Sequence, residues 1–138
     1  MTILHFPPRV LDASALVELL HGNPMLMRML GDAHTGRLNV LLPATAVAEA
    51  QAAVSLPASM WNHVFGFRGV STLNLHEHNA VEAGALAAPR LEHNPTQHVL
   101  TGALMVGHVL REAVATNGVI VTRLPELYGG HDVPVSAL

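Results

Sequence analysis

The chain contains no cysteine and no lysine. Without cysteine there can be no disulfide, no thiolate metal site and no thiol nucleophile, a composition that fits a reducing compartment. Without lysine there is no Walker-type phosphate-binding lysine, no Schiff base and no lysine of the kind a phospho-receiver domain needs. Aromatic residues make up 4% of the chain and charged residues 12%, against roughly 25% charged in ordinary soluble domains. Seven arginines against ten acids leave a formal charge of −3. No run of like charge occurs, so a broad electrostatic footprint for nucleic acid is missing. The ten histidines add positive charge only below about pH 6.5. No stretch without Asp, Glu, Lys or Arg is longer than that from His93 to Leu110, which is interrupted by Asn94, Pro95 and Gln97, residues a membrane span does not tolerate. Met1 to Phe6 lacks a basic lead and runs into Pro7 and Pro8, unlike a signal peptide. A cytoplasmic protein without membrane association is expected.

What the chain does have is apolar residues, 50% of 138 positions. That length suits a single domain over residues 1–138, burying roughly two-thirds of its extended-chain surface. Arg9 to Leu11 reads as a strand ending at Asp12, and Ala13, Leu16, Val17 and Leu20 fall at helical spacing. Gly22-Asn23-Pro24 breaks that helix and opens a second, Met25 to Ala33. Asn39 to Leu42 is an apolar strand stopped by Pro43, followed by an alanine-rich helix from Ala44 to Val54 and a shorter one within Leu56 to Phe65. Val70 to Leu75 reads as a strand and Glu77 to Ala88 as a helix, with a linker between Pro89 and Pro95. Thr96 to Thr116 forms the longest predicted helix, closed by Asn117-Gly118. Val119 to Thr122 and Val133 to Val135 complete the strands. Strands alternating with helices predict an α/β fold: three layers, α/β/α, around a central, mostly parallel sheet.

Ligands of such sheets gather at the carboxyl ends of the strands, near the topological switch. Asp12 ends the first strand, Ser14 follows at the mouth of the next helix, Glu49 lies on the helix after the second strand, and Thr122 ends the fourth. Two carboxylates and two hydroxyls can therefore share one polar mouth. The plain alternative has Asp12 or Ser14 capping the first helix, with Glu49 an ordinary solvated glutamate.

These residues also carry a resemblance. Val10-Leu11-Asp12-Ala13-Ser14-Ala15-Leu16-Val17 resembles the opening strand and helix of PIN domains, the fold of VapC-type toxin ribonucleases. Leu42-Pro43-Ala44-Thr45-Ala46-Val47-Ala48-Glu49-Ala50 resembles that family's second strand and acid-bearing helix. Asn117-Gly118-Val119-Ile120-Val121-Thr122-Arg123 resembles its late strand. The resemblance implies Asp12 and Glu49 as metal ligands for magnesium or manganese, with Ser14 and Thr122 orienting ligands or water in RNA cleavage. It also implies an antitoxin protein as partner and a homodimer built on the early helices. Met25, Leu26, Met27, Met29 and Leu30 give the second helix an apolar surface nearly all round, which suits a partner surface as well as a core.

Two of the family's four acids are missing. An aspartate expected on the long helix, about sixteen residues before the late threonine, is replaced by Val106, and the acid expected just after that threonine by Arg123 and Leu124. Glu112, six residues past Val106, points about 120° away from it on a helix. Glu126 reaches the site only if its loop folds inward. Asp12 and Glu49 alone suffice for weak magnesium or manganese binding, but supply fewer anionic ligands than a two-metal clamp needs. Two readings follow: a divergent metal-dependent ribonuclease of a toxin–antitoxin pair, or a catalytically degenerate PIN module that binds protein or RNA without cleaving it.

Other candidates are the alternating pair His76 and His78, which would share a face if the strand continued that far and with His131 or Asp132 would make a zinc site, although solvated histidines at the start of a helix are the preferred reading, and the set His98, His108 and Glu112. His108 and Glu112 share a helix face at four-residue spacing and read as a surface pair. Glycine-rich dinucleotide loops, Gly-x-Ser-x-Gly elbows and His-Glu-x-x-His zinc motifs do not occur.

Overall fold

The computed structural model describes residues 6–93 and 99–138. Its order is β1 (Arg9–Leu11), α1 (Ala13–Leu20), α2 (Pro24–His34), β2 (Val40–Pro43), α3 (Ala44–Val54), α4 (Ala58–Phe65), β3 (Val70–Leu73), α5 (Glu77–His93), α6 (Ala103–Thr116), β4 (Val119–Thr122), a 3-10 turn (Pro125–Tyr128) and β5 (Val135–Ala137). The five strands form one sheet in the order β3-β2-β1-β4-β5, and every neighbouring pair is parallel. Helices flank the sheet, giving the expected α/β fold. The chain steps from β1 outward to β2 and β3, then returns to β4 on the other side of β1. That reversal, between β1 and β4, is the topological switch, and both strands point their carboxyl ends at the same place.

Local chemistry explains the boundaries. Asn23 accepts from the backbone N–H groups of Met25 and Leu26 at 3.0 and 3.2 Å, capping α2, and Pro24 occupies its first turn, where the missing N–H costs nothing. Asn117, at φ +52°, ends α6 in the left-handed region, as the Asn-Gly pair led one to expect. The core gathers Val10, Leu11, Leu16, Leu26, Leu30, Val40, Leu42, Val109, Leu110 and Ile120 between sheet and helices.

Four expectations need correction. The helix from Glu77 does not stop at Ala88: α5 continues through Pro89 to His93, so Pro89 opens no linker. It packs closely enough on α6 that a Cβ at Gly107 would sit 2.3 Å from the Ala83 carbonyl oxygen. The next helix begins at Ala103 rather than Thr96, making α5 the longer of the two, while Thr96 and His98 lie outside the described residues. The last strand starts after Pro134, at Val135, because proline lacks the N–H that pairing requires. Finally, β3 ends at Leu73 rather than Leu75, and His76 and His78 stand exposed around the start of α5, in the solvated placement preferred for them over a shared strand face. Among the described residues no three His, Asp or Glu side chains gather as a cation site, and no helix is long and apolar enough to cross a membrane.

Candidate functional site

The switch brings Asp12, Ser14 and Thr122 together, as expected, and joins to them a residue the sequence did not single out, Tyr128. Asp12 caps α1, its Oδ1 accepting from the Ala15 N–H at 3.0 Å and from the Ser14 hydroxyl at 2.7 Å. Its Oδ2 accepts from the Thr122 hydroxyl at 2.6 Å and from the Tyr128 hydroxyl at 2.8 Å. A carboxylate offers about four lone-pair sites, so this one is saturated by the chain itself. Asp12 has 0% exposure, and Ser14, Thr122 and Tyr128 are likewise buried.

Both hydroxyls from the expected set serve as links in a backbone network. Ser14 Oγ accepts from the Arg123 N–H and Thr122 Oγ1 from the Leu124 N–H, each at 2.9 Å, while both donate to Asp12. The first turn after β4 is thereby stitched to the start of α1. Burial, reinforced by the Asp12 charge and hydrogen bond, pushes the Tyr128 phenol far above its ordinary range, so it stays a donor. The turn carrying it is held from α5, where the Arg90 guanidinium donates to the Leu127 carbonyl.

Glu49 stands apart from this cluster. It is half-buried on α3, and its Oε1 accepts from the Gly102 N–H at 2.8 Å, capping the N-terminus of α6 from another helix. Gly102 permits that approach, since a Cβ there would lie 2.6 Å from Glu49 Oε2. Burial raises the Glu49 pKa; the Gly102 N–H opposes this, and the Asp12 charge adds to the rise. Glu49 opens onto a pocket of 460 Å³ lined by Thr45, Ala48, Leu91, Ala103, Leu104 and Met105.

At the positions where the resemblance expects further acids, nothing among the described residues forms a cation site. Val106 is fully buried. Arg123 turns outward to pair with Glu18 at 3.1 Å, bringing positive charge where the resemblance expects a carboxylate. Glu126 is exposed; it is Tyr128, two residues on, that folds inward. Glu112 faces elsewhere, accepting from Asn79 Nδ2 and Arg111, both at 3.0 Å. Contrary to the surface pairing expected for them, His108 and Glu112 are buried, because α6 is covered by the sheet on one side and by α3 and α5 on others. His108 Nδ1 meets the Thr45 hydroxyl at 2.7 Å, while Nε2 lies 3.7 Å from Glu112 with no hydrogen-bond partner among the described residues.

Magnesium or manganese needs open carboxylate oxygens and room for its waters. The Asp12 oxygens are spent on protein donors behind a buried tyrosine, so this arrangement does not fit a resident divalent cation. The single tyrosine of an aromatic-poor chain, placed shortly after the strand that bears Thr122, was the only sequence signal for this outcome.

Known structures share this architecture. A chain of VapBC2 from Rickettsia felis, solved bound to a DNA fragment from its promoter, superposes with a TM-score of 0.67 at 14% identity, covering 94% of this chain and 98% of that one. DNA-bound VapBC from Salmonella typhimurium gives 0.65 at 14% identity over 96% and 98%. FitAcB from Neisseria gonorrhoeae gives 0.57 at 18% over 92% and 95%. No protein-family profile and no curated protein sequence matches. The chain therefore has a VapC-type, PIN-like fold, shared with chains of toxin–antitoxin complexes.

Proposed function

We propose that this protein is a PIN-fold module of the toxin–antitoxin type that acts by binding a protein partner, and that its ancestral ribonuclease centre is closed. One observation carries the second half: all four acceptor positions of Asp12 are taken by Ser14, Ala15, Thr122 and Tyr128, with the carboxylate at 0% exposure. Stabilising a phosphodiester transition state requires positive charge at the reacting oxygens, and a carboxylate enclosed by its own donors has no oxygen free to hold a cation that would supply it.

The partner we assign is an antitoxin-type protein segment with an apolar face. Support comes from the two-component complexes that share the fold and from the α1–α2–α4 surface. Leu26 and Leu30 of α2 turn into the core while Met25 and Met27 remain 49% and 44% exposed. Met27 and Met60 border a groove of 190 Å³ floored by Leu19, Leu30, Val64 and Phe67. Methionine surfaces adapt to apolar partners. The same surface suits a homodimer contact; a second copy would seat there at tens of micromolar, and light scattering reads that directly.

The other reading, metal-dependent RNA cleavage by Asp12 and Glu49 with Ser14 and Thr122 in support, draws on the convergence of Asp12, Ser14 and Thr122 at the switch and on the Asp12 charge felt at Glu49. The test is incubation of the purified protein with RNA and magnesium or manganese, beside Asp12→Asn. Our reading predicts indistinguishable background from both. Metal-dependent cleavage lost in Asp12→Asn would overturn it and reinstate the ribonuclease.

A further inference from the structure

The donors on Asp12 differ in what holds them. Ser14 and Ala15 belong to α1, and Thr122 ends a strand paired on both sides. Tyr128 rides on something weaker, a single 3-10 turn closed by Leu127 N–H to Leu124 O at 3.1 Å and Gly129 N–H to Glu126 O at 3.4 Å. Such turns have poor hydrogen-bond geometry and are short for that reason. Beyond it lies Gly129-Gly130, with Gly130 at φ +84°, a backbone state that glycine enters without strain. One side chain from another element, Arg90 of α5, reaches the turn and bonds the Leu127 carbonyl.

The Tyr128 hydroxyl points at Asp12 Oδ2 from 2.8 Å. A cation on that oxygen would sit nearer still, at about 2.0–2.1 Å for magnesium, and would bring waters of its own. Hydroxyl and hydrated cation cannot occupy the same side of Oδ2. Resting on the closed-centre reading above, we propose that Tyr128 is a stopper: its hydroxyl takes the cation's place on Asp12, the Pro125–Tyr128 turn is the strap that carries it, and Arg90 is the catch. The three donors from regular structure stay put when the strap lifts. Lifting it frees one lone pair of Oδ2 on the side facing the vacated phenol volume, in the field of Glu49, whose pKa already registers the Asp12 charge. The closed and open states differ by one hydroxyl–carboxylate bond, one guanidinium–carbonyl bond and the packing of one ring. Openings on that scale are local events, well short of global unfolding.

Manganese binding, read from the loss of the free-ion electron paramagnetic resonance signal, tests this on the full chain. Wild type is expected to take up no manganese at millimolar concentration. Tyr128→Ala is expected to bind at least about tenfold more tightly than wild type, and Tyr128→Ala with Asp12→Asn to lose the gain. Equal binding by wild type and Tyr128→Ala, no gain in Tyr128→Ala, or a gain that survives Asp12→Asn overturns the stopper. A second variant, Arg90→Gln, leaves the tyrosine in place and releases the catch. Because the chain has one tyrosine, nitration by tetranitromethane reports on Tyr128 alone. Nitration several times faster in Arg90→Gln than in wild type supports the catch, and equal rates remove it. Failure here is separable from failure of the functional reading. Metal-dependent RNA cleavage by wild type defeats the closed centre, whereas absence of any manganese gain in Tyr128→Ala defeats only the stopper.

Discussion

Two buried polar clusters among the described residues are finished to different degrees. Around Asp12 every acceptor has its donor, and two of the three hydroxyls that donate to it, those of Ser14 and Thr122, also accept backbone N–H groups. Around His108 the account does not close. Thr45 satisfies one ring nitrogen, but the other faces Glu112 from 3.7 Å, too far for a hydrogen bond. Glu112 is engaged instead by Asn79, which ties it to the loop before α5 through the Asn74 carbonyl and the His76 N–H. A saturated network rigidifies, whereas a half-satisfied one stays sensitive to its surroundings. The cluster at the topological switch is thus the more inert of the two.

The sharpest way to break this comparison is Asp12→Asn. An amide replaces two acceptor positions with donors, which then face hydroxyls or N–H groups that are themselves donors. Urea unfolding should show a loss of about 2–4 kcal/mol. A crowded acidic metal site behaves in the opposite way, since removing one of several like charges stabilises it without metal.

The apolar runs at Val10-Leu11, Val40 to Leu42 and Val119 to Thr122, with the Pro24 and Asn117-Gly118 signals, were enough to order the elements and bring Asp12, Ser14 and Thr122 to one switch. The capping alternative weighed for Asp12 also turns out to be part of the truth, because Ala15 N–H is one of its donors. Tyr128 was not legible: no periodicity links a lone tyrosine in a Pro-initiated turn to a carboxylate 116 residues earlier. The burial of His108 and Glu112 was missed for another reason. Four-residue spacing says that two side chains share a helix face, but not whether a neighbouring helix covers it. Proline disfavours helix interiors and so signals a stop at Pro89, yet the packing of Ala83 and Ala87 against Gly107 carries α5 past it.

The unfinished cluster gives the next largest effect. Burial lowers the His108 pKa below its ordinary 6.5, with Glu112 pulling it up and Arg111 adding to the depression. Below about pH 6.5 the unfolded chain takes up a proton that the folded chain refuses, so stability falls with pH until the folded value is reached. One proton sets a maximum slope of about 1.4 kcal/mol per pH unit. Urea midpoints between neutral and mildly acidic pH should show this loss, and His108→Gln should flatten it. An unchanged profile would mean that His108 is not the group responsible.

Glu49 yields a smaller contrast, because it caps α6 while remaining half-buried. Glu49→Gln keeps an acceptor for Gly102 and removes a charge that burial disfavours, so its melting temperature at neutral pH should match or exceed that of wild type. Glu49→Ala removes the cap and should cost about 1 kcal/mol. A larger loss in Glu49→Gln than in Glu49→Ala would assign the charge itself a structural task.

The smallest expected effect concerns whether the Asp12 carboxylate is satisfied by the chain alone. Thermal unfolding of the wild-type protein, with excess magnesium or manganese and then with chelator, measures whether folding is linked to a cation. Ligand stabilisation follows the logarithm of concentration over the dissociation constant, so a site no tighter than about 10 mM adds about 0.4 kcal/mol at equal metal concentration. We predict nearly superimposable curves; a chelator-reversible rise of several degrees, equivalent to about 2.7 kcal/mol or more at a hundredfold excess over the dissociation constant, would contradict the account.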